Sequence, residues 1–534
     1  MNRHLFKRII ALFSLFCMLF GVCIIRIYKI QSSDYSAVAD MQFSREISLG
    51  ETRGYIYDIN MKPLVNEAKH KQYILMSDES TADIIIKEGI EEIKKGLFIK
   101  IESEKELTET SYIKSFNKIT RYSDNLLCAH IIGYTNSSGS GVAGIEKAFD
   151  KILSDASGKI SVTFNADASD NSINGDGIRI IDKNYDSPAG VVLTIDKDIQ
   201  NIAENALKNS SVECGAVIVL DTKTAEIRAI TSSPCYDVNN VEASLSDKKL
   251  PFLNRALSSY PVGSVFKPVI AAAALNSGII TSDIFECNGS IKIGENEFSC
   301  YNKNNHGKID LNLATEKSCN TFFIDLGLKA GKSAICETAE LFCFGKEIEL
   351  CSTIVSEAGN LPEEDEITSD SELANICFGQ GSLLATPLQL AAAYNVFANG
   401  GIYSEPVLLK KLIGSDGREY AYYKSENKHF VISENNAETI NNCLYNNMLN
   451  GTGVNGKPDN TTSAGKTATA QTGRYDDNGS EILCTWFAGF FPFENPQYTV
   501  VVFNENGSSA ALDCAPVFKE IAENITDMQI QPSE

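Results

Sequence analysis

The chain has 534 residues, of which 43% are hydrophobic and 22% charged, and its formal net charge is −22 at pH 7. That length supports two or three domains with a sizeable core, and the composition is that of a folded globular protein. The acidic balance excludes a nucleic-acid binder, because phosphate backbones demand a basic footprint.

The N-terminal stretch MNRHLFKRIIALFSLFCMLFGVCIIRIYKI places Arg3, Lys7 and Arg8 before an uncharged, largely apolar run from Ile9 to Ile25. As a helix that run spans about 26 Å, the short end of what crosses a bilayer. The rival reading is a cleaved signal peptide, but the small residues Ala37–Ala39 lie too far beyond the apolar run to serve as its cleavage site. The expectation is therefore an uncleaved single-span anchor over 9–27, with residues 1–8 cytoplasmic and everything beyond it extracytoplasmic. Arg26 and Lys29 on the far side weaken the charge argument for that orientation.

After the anchor, RGYIYDINMKPLV (Arg53–Val65) reads as strand–turn–strand with Asp58, Ile59 and Asn60 in the turn. Gly133–Leu153 passes from a Gly/Ser loop into an amphipathic helix, and the polar, turn-rich stretch 165–190 reads as a domain boundary. From Val191 a second composition begins. VVLTIDKDIQNIAENALKNS predicts a strand and a helix, and GAVIVLDTKTAEIRAITSS predicts two β runs around a tight turn at Thr222–Ala225. PVIAAAALNSG predicts a buried helix ending at a glycine. ILCTWFAGFFP and YTVVVFNENG predict late strands, followed by a helix from APVFKEIAENI. Strands at both ends with helices between them point to one α+β domain whose sheet joins distant parts of the chain.

Three short elements stand in order inside that second domain. Ser264 and Lys267 lie three apart at the start of an apolar helix, on one face, where a neutral lysine can act as base for a serine. Ser111, Ser115, Ser246 and Ser425 also have a lysine three residues on, but in charged, polar surroundings. The second element is Ser318-Cys319-Asn320, and the third is Lys466-Thr467-Ala468 in SAGKTATAQTG, ahead of two apolar strands. Each has decoys, at 123–125, at 169–171 and at Lys223–Ala225, the last read as a hairpin tip. The ordered trio is the specific signal, and it is the pattern of penicillin-binding proteins and serine β-lactamases. Cys287, Cys300 and His306 suggest a metal site, but no Cys-x-x-Cys pair accompanies them. They read as scattered free thiols among 15 cysteines, and neither a metal nor another cofactor is expected.

The flanking residues sharpen the match. RGYIYDINMKPLV, RYSDNLLCAHIIGY and GVAGIEKAFDKIL resemble the N-terminal pedestal of class B penicillin-binding proteins. VVLTIDKDIQ, NRALSSYPVGSVFKP, FGQGSLLATPLQLAAAYNVFANGG, GKTATAQTG and WFAGFFP resemble, in order, their transpeptidase domain. The resemblance implies a membrane-anchored D,D-transpeptidase of peptidoglycan synthesis. It implies an α+β fold in which an antiparallel sheet carries helices on both faces beside a helical subdomain. The anchor and a β-rich, dimerisation-like pedestal (28–187) precede the transpeptidase domain (188–534). By that resemblance Ser264 is the nucleophile toward D-Ala-D-Ala stem peptides, Lys267 its base and Ser318 a proton relay. Asn320 binds the substrate amide, Lys466 and Thr467 bind the terminal carboxylate, and the N–H groups of Ser264 and Thr469 form the oxyanion hole. β-Lactams are implied as inhibitors, carboxypeptidase activity as a side reaction, and a membrane glycosyltransferase of the shape–elongation–division–sporulation type as partner.

Three residues depart from the family pattern. Ala468 stands where the family has glycine, which predicts a methyl in the way of ligand and weaker β-lactam acylation. Val262 replaces a proline and Ala225 a glycine, both local matters. Ala468 also keeps open a catalytically weakened scaffold or a β-lactam-insensitive homologue. A β-lactamase is disfavoured by the long pedestal and Asn320, and a β-lactam sensor by the short segment before the anchor.

Overall fold

The computed structural model describes residues 3–31, 44–76, 81, 83–84, 98–102, 106–165, 177–279, 283–476 and 479–530. Ala37–Ala39 and the middle of the turn-rich 165–190 stretch lie outside the described residues. Helix α1 (Arg3–Gln31) is a single 29-residue helix with no buried side chain, long and apolar enough to cross a membrane once. At about 1.5 Å per residue it reaches about 44 Å, beyond the hydrocarbon core of a bilayer.

The chain divides into two compact units that interleave in sequence. The first comprises 1–53, 68–121 and 157–187 and is β-rich. Ser44–Thr52, Gly158–Asn165 and Arg179–Lys183 form one antiparallel sheet, and Ala68–Met76 pairs on its two sides with Phe98–Glu102 and Ile113–Thr120. Leu49, Ile74, Phe116, Ile160 and Val162 make its core.

The second unit comprises 54–67, 122–156 and 188–534. Of the strand–turn–strand predicted at 53–65, only Tyr55–Tyr57 is a strand, followed by a single bridge from Tyr57 to Pro63. Asp58 Oδ1 closes the turn by accepting the N–H groups of Asn60 and Lys62. Tyr55–Tyr57 pairs in parallel with Gly190–Leu193, so its partner lies far along the chain. The amphipathic helix expected near 144–153 is broken into two short helices, Gly144–Ala148 and Asp150–Asp155.

The main sheet holds β1 (Gly215–Asp221), β2 (Ile227–Ser233), β3 (Ala464–Tyr475), β4 (Glu481–Phe491) and β5 (Tyr498–Gly507). The order is β2-β1-β5-β4-β3, antiparallel throughout, and β3 is an edge. Residue alternation sorts the strands onto two faces. Val217, Val219, Val500 and Val502 pack with Ile199 and Ala203 of helix α2 (Lys197–Lys208) and with a C-terminal helix, Ala515–Ile530. Ala216, Ile218, Val501 and Phe503 share the other, larger core. That core takes in α3 (Lys267–Asn276), α4 (Asn320–Ala330), α5 (Pro387–Ala398) and the inner side of α6 (Glu434–Asn450). The β1–β2 hairpin turns where predicted: Asp221 Oδ1 accepts the N–H groups of Lys223 and Thr224, and Ala225 takes a left-handed φ of 56°.

The turn that carries Ser264 is held from three sides. Trp486 Nε1 donates to Pro261 O (2.9 Å), and Tyr394 Oη donates to Val265 O (3.0 Å). Gly263 N–H donates to Gly379 O at 2.7 Å. Gly379 has φ +79°, and a Cβ placed there would lie 1.9 Å from Gly263 O. Only glycine fits that approach. A Gly379→Ala chain must displace the turn. Because misplacing a reacting group by about 1 Å costs about 10²-fold in rate, the penicillin acylation that the resemblance implies should fall by about that factor in this variant while far-UV circular dichroism stays native. Unchanged acylation would show that the turn is positioned by other contacts.

Candidate active site

Ser264 lies in a single 3₁₀ turn, Gly263–Phe266, that runs directly into α3. It is partly exposed, whereas Lys267, one turn on, is fully buried. α3 is enclosed on all sides: Pro268, Val269, Ile270 and Ala271–Ala274 are buried with it. An apolar helix with a lysine at its first turn places that amine inside the core, where it must find polar partners.

Those partners come from the Ser318–Asn320 segment. Lys267 Nζ donates to Ser318 O (2.7 Å) and Asn320 Oδ1 (2.7 Å), and lies 3.1 Å from Ser318 Oγ. Ser318 has φ +50°, a left-handed conformation that costs a non-glycine residue about 1–2 kcal/mol. This twist turns both its carbonyl and its hydroxyl toward one amine. Asn320 opens α4, and its Nδ2 donates to Ser299 O (2.9 Å), which orients the amide. Burial pulls the Lys267 pKa down to about 7, with Cys319 and Cys300 pushing weakly the other way.

Lys466 is also fully buried, on edge strand β3. Its Nζ donates to Thr452 Oγ1 (3.1 Å) and Thr467 O (3.0 Å). Burial and then the charge of Lys267 push its pKa well below the ordinary lysine value. Neither lysine has a carboxylate partner among the described residues. Thr467 Oγ1 donates to Thr452 Oγ1 (2.9 Å), and Thr469 is exposed two residues on. The site thus presents a serine hydroxyl, a buried amine able to lose its proton near neutrality, and a second amine with hydroxyls beside it. This is equipment for acyl transfer to or from a substrate bearing a carboxylate.

The structure brings Lys267, Ser318 and Asn320 into direct contact, and packs the turn bearing Ser264 against β3 through Gly263, Ala468 and Ala470. The decoy Lys223–Ala225 is a hairpin tip with Lys223 exposed. Sequence reading missed Thr452 and Asn447. Asn447, buried on α6, accepts Thr452 N–H and donates Nδ2 to Gly465 O (2.8 Å), tying the end of α6 to β3. The only local signal is a turn, Gly451-Thr452-Gly453, which the structure places at the end of α6.

Residues 215–523 match the family described as the penicillin binding protein transpeptidase domain. The protein belongs to the class B penicillin-binding proteins. It is 26% identical to stage V sporulation protein D of Bacillus subtilis, over 92% of this chain and 81% of that one. To the peptidoglycan D,D-transpeptidase FtsI of Escherichia coli it is 28% identical, over 77% and 68% of the two chains. Its fold is that of penicillin-binding protein 3 from Mycobacterium tuberculosis complexed with aztreonam, at TM-score 0.65, 22% identity, and 92% and 98% coverage. A chain of a peptidoglycan synthase complex matches at TM-score 0.69 and 21% identity over 99% of both chains.

Within that family Ala468 is the conspicuous departure, and the structure corrects what its methyl does. Ala468 is buried, and a Cβ built on Gly263 would lie 3.3 Å from its methyl and 3.1 Å from that of Ala470. Alternation along β3 puts Lys466, Ala468 and Ala470 on the inner face, with Thr467 and Thr469 opposite. The methyl fills the seam beneath the Ser264 turn instead of standing in the way of ligand. Ala468→Gly should therefore lower stability by about 0.5–1 kcal/mol. It should not raise penicillin acylation beyond about fivefold, the rate equivalent of 1 kcal/mol. Urea unfolding and acylation kinetics check both, and a larger gain in rate would restore the steric reading.

Proposed function

We propose that the protein is a membrane-anchored peptidoglycan D,D-transpeptidase working through a Ser264 acyl-enzyme. The observation that carries this reading is the buried Lys267 amine, lodged between Ser318 and Asn320 with no carboxylate partner among the described residues. Neutral Lys267 takes the proton of Ser264 Oγ, which attacks the carbonyl joining the two terminal D-alanines of a stem peptide. Negative charge on that carbonyl oxygen is met by the N–H groups of Ser264 and Thr469, each such donor being worth about 10²–10³ in rate. The C–N bond breaks, and the proton passes by way of Ser318 to the amine of the departing D-alanine. Asn320 orients the substrate amide, and Lys466 with Thr467 holds the terminal carboxylate, supplying the anion the buried cation lacks. An amine from a neighbouring strand then attacks the ester and regenerates Ser264. Water in its place gives the carboxypeptidase side reaction.

β-Lactams enter the same route as acylating inhibitors. The buried Ala468 gives no support to a weakened scaffold. Arg3, Lys7 and Arg8 favour a cytoplasmic N-terminus for α1, which leaves the catalytic unit outside. We read 28–187 as pedestal, of which 54–67 and 122–156 pack in one compact unit with the transpeptidase domain 188–534, and the whole as working with a membrane glycosyltransferase. The relatives include proteins named for sporulation and D,D-transpeptidases named MrdA and FtsI.

A fluorescent penicillin should form a covalent adduct with the full chain, and a Ser264→Ala chain should form none. Labelling that survives the substitution would move the nucleophile elsewhere. Because the base must be neutral, the acylation rate should climb with pH through about 7, where Lys267 loses its proton, and level off above. A limb centred above about 9, near the free-lysine value of about 10.4, would remove Lys267 from the role.

A further inference from the structure

A polar cleft in the catalytic unit shares no residue with the acyl-transfer site. It has a volume of about 640 Å³ and lies where four stretches of the chain meet. Thr222 and Lys223 of the β1–β2 turn, the end of α5, the first half of α6 and the β4–β5 loop supply its walls. That volume falls within the about 300–1,000 Å³ of small-molecule sites, but those are lined mainly by apolar side chains. Here the rim is polar: Asn399, Asn442 and Asn495 present amides, and Glu434, Glu438 and Glu494 present carboxylates.

Two buried polar atoms of the wall residues lack partners. Thr222 is 2% exposed, and its Oγ1 makes no hydrogen bond among the described residues. Its backbone is engaged: the N–H donates to Gln497 O (2.9 Å), and the carbonyl accepts from Asn395 Nδ2 (3.2 Å). Asn395, buried beside it, also accepts from Thr499 Oγ1 (2.9 Å), so that amide is used at both ends and the Thr222 hydroxyl is left over. Asn441 Nδ2 donates to Phe397 O (2.8 Å), which fixes the amide's orientation, and its Oδ1 is buried with no donor among the described residues. An unmade hydrogen bond at a buried atom costs more than a made one gains, so two around one cleft call for a partner from outside the chain.

The chemistry of the walls selects that partner. Asn441 Oδ1 can only accept, so the ligand must bring O–H or N–H groups, while Thr222 Oγ1 can give or take. Three carboxylates against Lys223 and Lys428 leave the rim without the positive excess that a phosphate needs. Phe493 adds an apolar wall, and Tyr445 stacks on its ring with centroids 4.2 Å apart and planes 15° apart, which holds the ring rigid. Amides and carboxylates that bond hydroxyls, beside a fixed aromatic ring against which C–H groups pack, suit a sugar.

We infer that this cleft binds a glycan, and that its natural ligand is the sugar backbone of peptidoglycan. The second half rests on the proposed function, whereas the preference for a polyhydroxyl chain does not. Cleft and active site share a frame. Phe493 N–H donates to Thr462 Oγ1 (3.0 Å), and that hydroxyl donates to Glu494, two residues before β3 begins. α6 runs from the cleft to Asn447, which holds Gly465 O.

The probe is chitotetraose, the β-1,4 tetramer of N-acetylglucosamine, which carries sugar without peptide. It is titrated by calorimetry into the full chain, held in a detergent without a sugar headgroup. Saturable one-to-one binding is expected, and it should persist in a Ser264→Ala chain. Thr222→Val removes a hydroxyl that has no partner in the free protein. It should raise the urea midpoint while weakening chitotetraose about 3- to 10-fold, the worth of one hydrogen bond. Glu438→Ala and Asn495→Ala, at exposed rim positions, should weaken it too and leave penicillin acylation unchanged. Absence of saturable binding would overturn the cleft, as would binding that all three variants leave intact. Preference for a stem pentapeptide over chitotetraose, lost in the same variants, would make this a peptide site and overturn the sugar assignment. A lower urea midpoint in Thr222→Val would show the hydroxyl to be already partnered and remove the ground for the site. Penicillin labelling keeps the two readings apart: an adduct without chitotetraose binding removes the cleft and leaves the acyl-enzyme, and the reverse removes the acyl-enzyme and leaves the cleft.

Discussion

The constraint on which the catalytic unit depends is a lysine amine kept out of water. Lys267 sits at the head of a helix whose every early neighbour is apolar and buried. Its pKa is pulled to about 7 by that burial. In the unfolded chain the same amine holds its proton up to the ordinary lysine value. Between about 7 and 10.4 the unfolded state therefore binds more protons than the folded one, and stability contributed at this position rises with pH. Toward acid the folded state must carry a buried charge, at a cost on the order of 5 kcal/mol for a shift of this size. The large core around α3, α5 and the sheet offsets it. A surface lysine would spare the cost and lose the base.

Around that amine the structure spends its unusual backbone. Ser318 is held left-handed so that carbonyl and hydroxyl both face Nζ. A neutral amine offers two hydrogens and one lone pair. It can donate to Ser318 O and Asn320 Oδ1, both at 2.7 Å, which leaves the lone pair for an incoming proton, with Ser318 Oγ at the longer 3.1 Å. A protonated amine would donate three times. The same contacts accommodate both states, as a base that must release what it takes requires. Such a segment does not hold itself in place: it needs support from behind, where Asn320 reaches Ser299 and Cys319 joins the thiol cluster of Cys287, Cys300 and His306.

What the sequence disclosed follows the range of the forces involved. The β1–β2 hairpin was legible because Asp221 makes its turn within four residues and the flanking runs are apolar. Ser264 and Lys267 were legible because their spacing is a helical turn and their surroundings are apolar. Lys466 was legible only as the third member of an ordered series. Features built by distant segments were not. The Tyr55–Gly190 pairing carries no local mark, and neither does the tie from Asn447 to Gly465. Of the thiol cluster the sequence suggested Cys287, Cys300 and His306 together but read them as scattered and left Cys319 out, for the same reason: its members stand thirteen, six and thirteen residues apart. Nothing shorter than the folded loop gathers them.

Edge strand β3 shows how one register can serve two demands. Its inner residues, Lys466, Ala468 and Ala470, pack under the Ser264 turn, while Thr467 and Thr469 belong to the other face. Along a strand with period two, a slip of one residue would exchange the faces, turning the exposed Thr469 inward and expelling the lysine. An edge strand is held on one side only, so register must be pinned by something besides the sheet. Here Asn447 holds Gly465 O, and Thr452 meets both Lys466 and Thr467. The small residues complete the fit. Gly263 leaves room for the methyls of Ala468 and Ala470, so strand and turn close against each other beneath Ser264. In glycine-bearing relatives the methyl at this position is missing, and the added Ala468 contact fills a seam that the turn already left open.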